Sequence, residues 1–558
     1  MPNILTPVSL WESFNSFLIT SPVVLSSNED ENGTVIERIN IKGRDTGTDR
    51  VLIAAEYAYD KNTPVTATVL IFPDSKDTFD EGLLKHFVKH GYAAMMVDYR
   101  GEWEGCDFYT KYPSDVDYAN TARSGRHYGF VDGSAAETSW YEWVAVGIYA
   151  RKYALERSGG GEIAVVGIRD GGEIAWKLGV ADKFKCIIPV CAAGWRAYEG
   201  ISKYHSVEPE LNEERYRYIA GIDSQAYAPY VECPVLMLCS TNDSGFDYDR
   251  AFDTFSRINP KFMGDSAIAY SVHSNGCIGE KSTNDMFMFL DKNLKNRQVF
   301  IPKPAEVSIE ADEEDNLIAI AKFDDSGIVD FCGMYFAEDC IDSSLREWSD
   351  CPQKTKLTSR EQQFYLNIYE KTSTVFAFCY VKYINGFTVW SKIAAKKVNG
   401  AFRNMRTRCR VIYSDKDSKH AFTVSEPRKY AIGKTFLTEK SARPSVVEKN
   451  GIKGLYTTNG LTTYKLNSPA YSPSSGSILK LDIFCECTAK IVLSFIDGAT
   501  NEEYTDEYEI TGGVWQSIIA ECELFKNAGG VPLSSFLNGV KFTITCGVPY
   551  AVNNVMWL

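Results

Sequence analysis

The sequence contains no run of roughly 18 to 20 apolar residues, the length a helix needs to cross a bilayer, so no membrane span is expected. It also lacks a dense stripe of Lys and Arg: 59 basic residues stand against 73 acidic ones, for a net charge of −14. Nucleic-acid binding needs clustered cations to neutralise a run of phosphates, so a nucleic-acid partner is not expected. The opening stretch MPNILTPVSLWESFNSFLITSPVVL has no basic start, no unbroken apolar segment and no small-residue cleavage site, and does not read as a secretory signal. Cysteine is sparse for the length, with 15 in 558 residues, and the number is odd. Cys186, Cys191, Cys239 and Cys379 sit inside apolar runs, so buried free thiols are expected rather than a disulfide frame. Cys485 and Cys487 form CxC, not CxxC, and no second pair stands at zinc-ligand spacing, so neither a metal site nor a cofactor is expected. Free thiols and the missing signal together point to a reducing, cytoplasmic setting, although a secreted chain trimmed of its signal would look the same.

What is present is an ordinary globular composition, 44% hydrophobic and 24% charged, spread over a chain long enough for about three or four units of ~150 residues. From about residue 35 to 294, short apolar runs alternate with longer segments of helical periodicity. The runs are VLIAAEYAY (51–59), VTATVLIFP (65–73), YAAMMVDYRG (92–101), EIAVVGI (162–168), CIIPVCAAG (186–194) and PVLMLCSTND (234–243). EGLLKHFVKHG and ETSWYEWVAVGIYARKYALE carry the helical pattern. This alternation predicts a mainly parallel sheet with helices on both faces, three layers in all, over residues 1–298. After Pro302 and Pro304 the pattern changes to strands near ten-residue spacing, which predicts a fibronectin-like β-sandwich over 299–400. A Lys- and Arg-rich linker then leads to further strands, so 401–558 is expected to hold a second all-β sandwich. The multidomain expectation is therefore one α/β domain followed by two β-sandwiches.

The most informative stretch is Ile163-Ala-Val-Val-Gly167-Ile168-Arg169-Asp170-Gly171-Gly172-Glu-Ile-Ala-Trp176. A buried strand leads into a tight turn of small residues and then a helix, the setting of the G-x-S-x-G elbow that presents a nucleophilic serine. The glycines fall at 167 and 171, because neighbours lie close to the backbone of such a turn. The residue between them is Arg169.

Residues 85–294 resemble the acetyl xylan esterases and related α/β-hydrolases. Four blocks occur in the same order: GYAAMMVDYRG, the helix entered through SWYEW, G-I-x-x-GG-x-x-x-W, and KFKCIIPVCAAGW. The resemblance implies an ester hydrolase of acylated carbohydrates whose elbow serine is assisted by an acid and then a histidine, in that chain order. On this chain the acid matches Asp243, at the end of PVLMLCSTND, and the histidine matches His273, in YSVHSNGC.

Two departures bear on activity. A guanidinium stays protonated and has no lone pair for attack, so Arg169 cannot act as the serine does. Where the family has His-Gly to help form the oxyanion hole, this chain reads Phe72-Pro73-Asp74-Ser75. Pro73 has no N–H to donate, and Asp74 places negative charge where an oxyanion would develop.

Several readings of these residues stay open at this stage. Arg169 is either an ion-pair partner of Asp170, Asp98 or Asp243, or a cation that binds an anionic ligand. Asp170 could serve as a carboxylate nucleophile, and Ser75 or Ser134 as a relocated serine. Asp243 could be a turn residue, and His273 a solvated loop residue.

The last segment resembles galactose-binding-like jelly rolls on WQSIIAECELFKNAGGVPLSSFLNGVKFTIT and VNNVMWL, which implies carbohydrate binding. Trp515 and Trp557 nevertheless lie in alternating apolar runs expected to face the core. The expected partner is a carbohydrate or other small molecule. The sequence sets no oligomeric state.

Overall fold

The computed structural model describes residues 5–12, 14, 19–204, 210–276, 278–407, 409–416, 422–425 and 444–558. Parts of the opening stretch and most of the Lys- and Arg-rich linker lie outside the described residues.

The first segment builds one nine-stranded sheet. Its strands are β1 (Val23–Glu29), β2 (Thr34–Asp45), β3 (Arg50–Asp60), β4 (Ala67–Phe72), β5 (Ala93–Val97), β6 (Glu162–Ile168), β7 (Cys186–Val190), β8 (Leu236–Ser240) and β9 (Ala267–Ser271). They lie in the order β1-β2-β3-β5-β4-β6-β7-β8-β9. β1, β2 and β3 run antiparallel, and β3 meets β5 antiparallel. From β5 onward every pairing is parallel. With β1 set aside, this is the strand order of an α/β-hydrolase.

Burial explains which strands the sequence displays. β4, β5, β7 and β8 are buried at every position and lie within the continuous apolar runs of the sequence. β1 is exposed along most of its length, and β2 interleaves outward charged residues such as Arg38 with its buried ones. Neither makes an apolar run. β9 is only five residues long, and all three strands were missing from the apolar runs read above.

Helices Ser139–Arg157 and Asp170–Ala181 pack against one another on one face of the sheet. Helices Glu81–Lys89 and Glu280–Leu294 share the other face, where the rings of His90 and Phe287 stack with centroids 3.6 Å apart. Asp80 caps the Glu81 helix by accepting from the Leu83 N–H, and Thr138 caps the Ser139 helix by accepting from the Tyr141 N–H. Trp140 and Trp143 are fully buried, and their indole N–H groups donate to the Tyr128 and Ala119 carbonyls. A buried indole needs such a partner.

The middle segment forms a sandwich of two antiparallel sheets. One holds Glu306–Ala311, Leu317–Lys322 and Glu361–Tyr365, and the other is built around Val329–Glu338 and Thr374–Tyr383. Its apolar core is continuous with that of the nine-stranded sheet: Tyr248 and Tyr270 of the first segment meet Trp348, Phe378 and Trp390 of the second. The middle segment is thus packed onto the α/β domain through an aromatic cluster.

The third segment has a separate core between a six-stranded and a five-stranded antiparallel sheet. Trp557 lies in that core, 2% exposed, with its indole N–H on the Tyr471 carbonyl. Trp515 is half-buried and donates to the Lys449 carbonyl. The fourteen cysteines among the described residues are all unpaired.

Candidate active site

Gly167 and Gly171 create the turn between β6 and the helix that follows. A Cβ on Gly167 would stand 2.0 Å from the Gly171 carbonyl oxygen, and one on Gly171 would stand 2.0 Å from the Phe72 carbonyl oxygen. Neither position has room for a side chain. The squeeze forces Arg169 to φ 52° and ψ −110°, a backbone region that disfavours any residue with a Cβ. The backbone between β6 and the helix is thus a strained strand–turn–helix bend, and the side chain at its apex is a guanidinium.

That guanidinium lies against Asp243, in the loop after β8. Arg169 Nη2 donates to Asp243 Oδ1 over 2.9 Å, and the Gly245 N–H donates to the same oxygen over 2.7 Å. The Asp243 side chain is 1% exposed, and its Oδ2 has no hydrogen-bond partner. The Arg169 side chain runs past two glycines: a Cβ on Gly276 would approach Nη2 to 2.3 Å, and one on Gly245 would approach Nη1 to 2.7 Å. The glycines make the channel in which the arginine lies. Of the three partners weighed for Arg169, Asp243 takes this hydrogen bond. Asp98 pairs instead with Arg100 at 3.0 Å.

Asp170 is committed elsewhere. Ser75 Oγ donates to its Oδ2 over 2.5 Å, Tyr128 donates to Oδ1 over 2.8 Å, and Arg196 forms an ion pair with Oδ1. Burial alone would raise this carboxyl, but Arg196, Ser75 and Tyr128 outweigh it and hold it below the ordinary carboxylate range. Both Asp170 oxygens are therefore engaged by neighbouring side chains. As an acceptor for Ser75 it is too weak a base to activate that hydroxyl. Ser134 caps a short turn by accepting from the Ala136 N–H.

The loop after β4 closes the other side. The Pro73 carbonyl accepts from Tyr99, and a Cβ on Gly171 would meet the Phe72 and Pro73 carbonyls. The Phe72 and Pro73 carbonyls thus pack directly against the turn that follows Arg169. Asp74 is 5% exposed, and burial together with the nearby Asp170 carboxylate pushes its carboxyl above the usual range.

His273 stands in the loop after β9 with φ 58°, its N–H donating to Thr241 Oγ1. Its Nε2 meets the Trp348 carbonyl of the middle sandwich at 2.6 Å. A carbonyl oxygen only accepts, so this nitrogen carries the proton. In a serine triad the same nitrogen must be free to take the proton of the nucleophile. The structure thus brings Arg169, Asp170, Asp243 and the Pro73–Asp74 loop together and ties the His273 ring to a different domain.

The sandwich loop at 340–348 is the element sequence reasoning missed. Asn242 donates to the Ser344 and Arg346 carbonyls, and Arg346 forms a fully buried bidentate pair with Asp249 at 2.6 and 2.8 Å. Asp342 and Ser343 line a cavity of about 230 Å³ whose other walls include Asp243, Arg196, Trp195 and Phe246. The REWSDC segment carries Arg346 and Trp348, but nothing local to it marks where it docks. No group of metal-ligating side chains occurs among the described residues, nor any helix there long and apolar enough to cross a membrane.

No protein-family model matches the chain, and no curated protein matches it. Among solved structures, it is similar to an acetyl xylan esterase from Paenibacillus sp. R4, at 18% identity over 50% of this chain and 90% of that one, with a TM-score of 0.38. Acetyl xylan esterase 1 from Thermoanaerobacterium sp. JW/SL YS485 gives 12% identity over 49% and 88%, with a TM-score of 0.37. A cold-adapted esterase from an Arctic intertidal metagenomic library gives 15% over 48% and 100%, with a TM-score of 0.33. On its own strand order and elbow, the first segment is an α/β-hydrolase fold, and two β-sandwiches follow it.

Proposed function

We propose that this protein uses an α/β-hydrolase cleft to bind a carbohydrate-derived ligand and does not carry out serine-type ester hydrolysis. The observation that carries this reading is the Arg169–Asp243 pair: the side chain in the nucleophile position is a cation held by the residue in the acid position. Three features support it. Pro73 offers no oxyanion donor, the Nε2 proton of His273 is turned to Trp348, and Asp170 has both oxygens engaged. The cavity remains, walled on one side by the middle sandwich.

Of the two ligand classes the sequence left open, the carbohydrate-derived one is favoured over an anion. Arg169 is paired with Asp243, and Arg196, the arginine on the cavity wall, is paired with Asp170. The wall also carries Glu199 and Asp342, which make no salt bridge among the described residues and repel a negative ligand.

The test is hydrolysis of p-nitrophenyl acetate and acetylated xylan by the purified full chain, beside an Asp243→Asn control and a serine-reactive fluorophosphonate label. No turnover and no labelled serine is the expected result. Turnover abolished by the control, or a labelled Ser75, would mean an active hydrolase with a relocated nucleophile and would overturn the reading.

A further inference from the structure

A second cavity lies where the α/β segment meets the middle sandwich, and it shares no lining residue with the one beside Asp243. Phe252, Phe255, Ile258 and Met263 of the first segment line it together with Val307 and Ile393 of the second. Its volume, about 890 Å³, falls near the top of the roughly 300–1,000 Å³ range of small-molecule sites. Phe255, Ile258 and Ile393 are buried, whereas Phe252, Met263 and Val307 are only half-buried, so apolar surface is left uncovered there. A concave patch of this kind marks a binding groove.

The interior offers a ligand little to hydrogen-bond. The Ser266 hydroxyl donates to the Phe262 carbonyl over 2.8 Å and accepts the Val235 N–H over 2.9 Å. The Ser256 hydroxyl donates to the Asp253 carbonyl over 3.0 Å. Pro260, Pro302 and Pro304, also on the wall, bring no N–H. A sugar ring placed here would lose the hydration of its hydroxyls without finding partners for them. A hydrocarbon chain has no such groups, and its burial is favourable by roughly 25 cal/mol per Å². Met263 adds an unbranched, adaptable side chain that can follow the shape of such a chain.

The charged groups of the wall are all exposed and so mark its rim. Lys303 and Lys392 stand there with Glu306, and neither lysine makes a salt bridge among the described residues. Asp324 lies near Lys303, but it accepts the Lys303 and Ser326 backbone N–H groups, over 3.4 and 2.9 Å. Two cations against one carboxylate leave the rim positive, which favours a single negative head group.

From this combination we propose that the junction cavity binds an aliphatic monocarboxylate of the fatty-acid type, its chain between Phe252, Met263 and Val307 and its head group at Lys303 and Lys392. The site uses none of the elbow residues, so it stands or falls independently of the carbohydrate-binding reading of the cleft. Its walls come from two segments of the chain, and an occupant bridges them.

Isothermal titration calorimetry on the full chain tests it with three probes of equal chain length in neutral, low-salt buffer: decanoate, decan-1-ol and decylamine. Decanoate should bind at one site and at least about tenfold more tightly than decylamine, with decan-1-ol between them. Val307→Trp, which fills the cavity, should abolish binding. Because an added ring can also strain the sandwich, Lys303→Ala combined with Lys392→Ala serves as the companion. Both lysines are exposed, so the melting temperature should stay unchanged while decanoate weakens several-fold and decylamine does not. No saturable binding of decanoate, equal affinity for decanoate and decylamine, or a decanoate affinity unchanged in either variant would overturn the proposal.

Discussion

Arg169 and Asp243 lie 74 residues apart in the chain and meet through a 2.9 Å hydrogen bond between Nη2 and Oδ1, at the point where a serine hydrolase assembles its triad. The arginine occupies the strained elbow position at φ 52°, and the aspartate is all but closed to solvent. The pair compensates the charge of a carboxylate that is closed to solvent.

Restoring the serine alone should not restore the enzyme. Arg169→Ser leaves Pro73 without an N–H, Asp74 beside the developing oxyanion, and the His273 Nε2 proton on the Trp348 carbonyl. Loss of one oxyanion donor costs roughly 10² to 10³ in rate, and here the base is misdirected as well. Hydrolysis of p-nitrophenyl acetate by this variant is expected to stay near the uncatalysed rate, and robust turnover would sink the argument.

Removing the cation should destabilise the fold through its partner. Arg169→Ala leaves the Asp243 carboxylate buried without its counter-charge, which typically costs roughly 3–5 kcal/mol. Urea melts of Arg169→Ala, Asp243→Ala and the double variant form a thermodynamic cycle. The double variant is expected to lose much less than the sum of the single ones, and strict additivity would show that the pair is not coupled.

The junction of the first two segments rests on another buried pair. Arg346 and Asp249 are both 0% exposed, and Arg346 also lies 3.9 Å from the Phe376 ring centroid. Arg346→Ala should destabilise by a further roughly 3–5 kcal/mol and release the loop that lines the cavity. Faster amide exchange at Asn242 and His273 would report that release. Unchanged protection there would show that the loop does not depend on this arginine.

Stability should rise as pH falls from about 8 to 6.5. Burial, with a contribution from Asp74, pushes Asp77 up to about 8, and burial pushes Glu347 up to about 8. Across this window Asp77 and Glu347 keep protons that the unfolded chain has already released, and these two outweigh Lys177, which burial lowers to about 8 and which acts in the opposite sense. A group with its folded pKa raised contributes stability that fades as pH climbs through that pKa. Below 6.5 the effect is opposed by His86, whose ring burial lowers to about 4 so that the unfolded chain binds its proton first. Thermal melts should therefore show a higher midpoint at pH 6.5 than at pH 8, with a smaller difference in Asp77→Asn and Glu347→Gln. A midpoint that increases toward pH 8 would contradict the assignment.

Much of the α/β segment was legible because its central strands are buried on both faces and leave continuous apolar runs. β2 was not among those runs, because it interleaves outward charged residues with its buried ones. The positions of Gly167, Arg169 and Gly171 were legible for a local reason: the elbow is a short turn whose crowding admits only glycine at two places. Asp243 and His273 were reached through chain order alone. The pairing of Arg169 was left among three candidates, and the bond from His273 to Trp348, 75 residues away, was not foreseen.

The sequence by itself determined that Arg169 cannot act as a nucleophile, since a guanidinium lacks a lone pair whatever surrounds it, and that Pro73 has no N–H to donate. It also determined the backbone of the turn, because steric exclusion at glycine acts between near neighbours. Only the tertiary structure decided that Arg169 is paired with Asp243, that the His273 ring is bound to a second domain, and that the loop bearing Asp342 and Ser343 walls the cavity. Those outcomes depend on how the sandwich docks on the sheet through Tyr248, Tyr270, Trp348 and Phe378, an aromatic packing that brings together residues with no periodic or local relation in the chain.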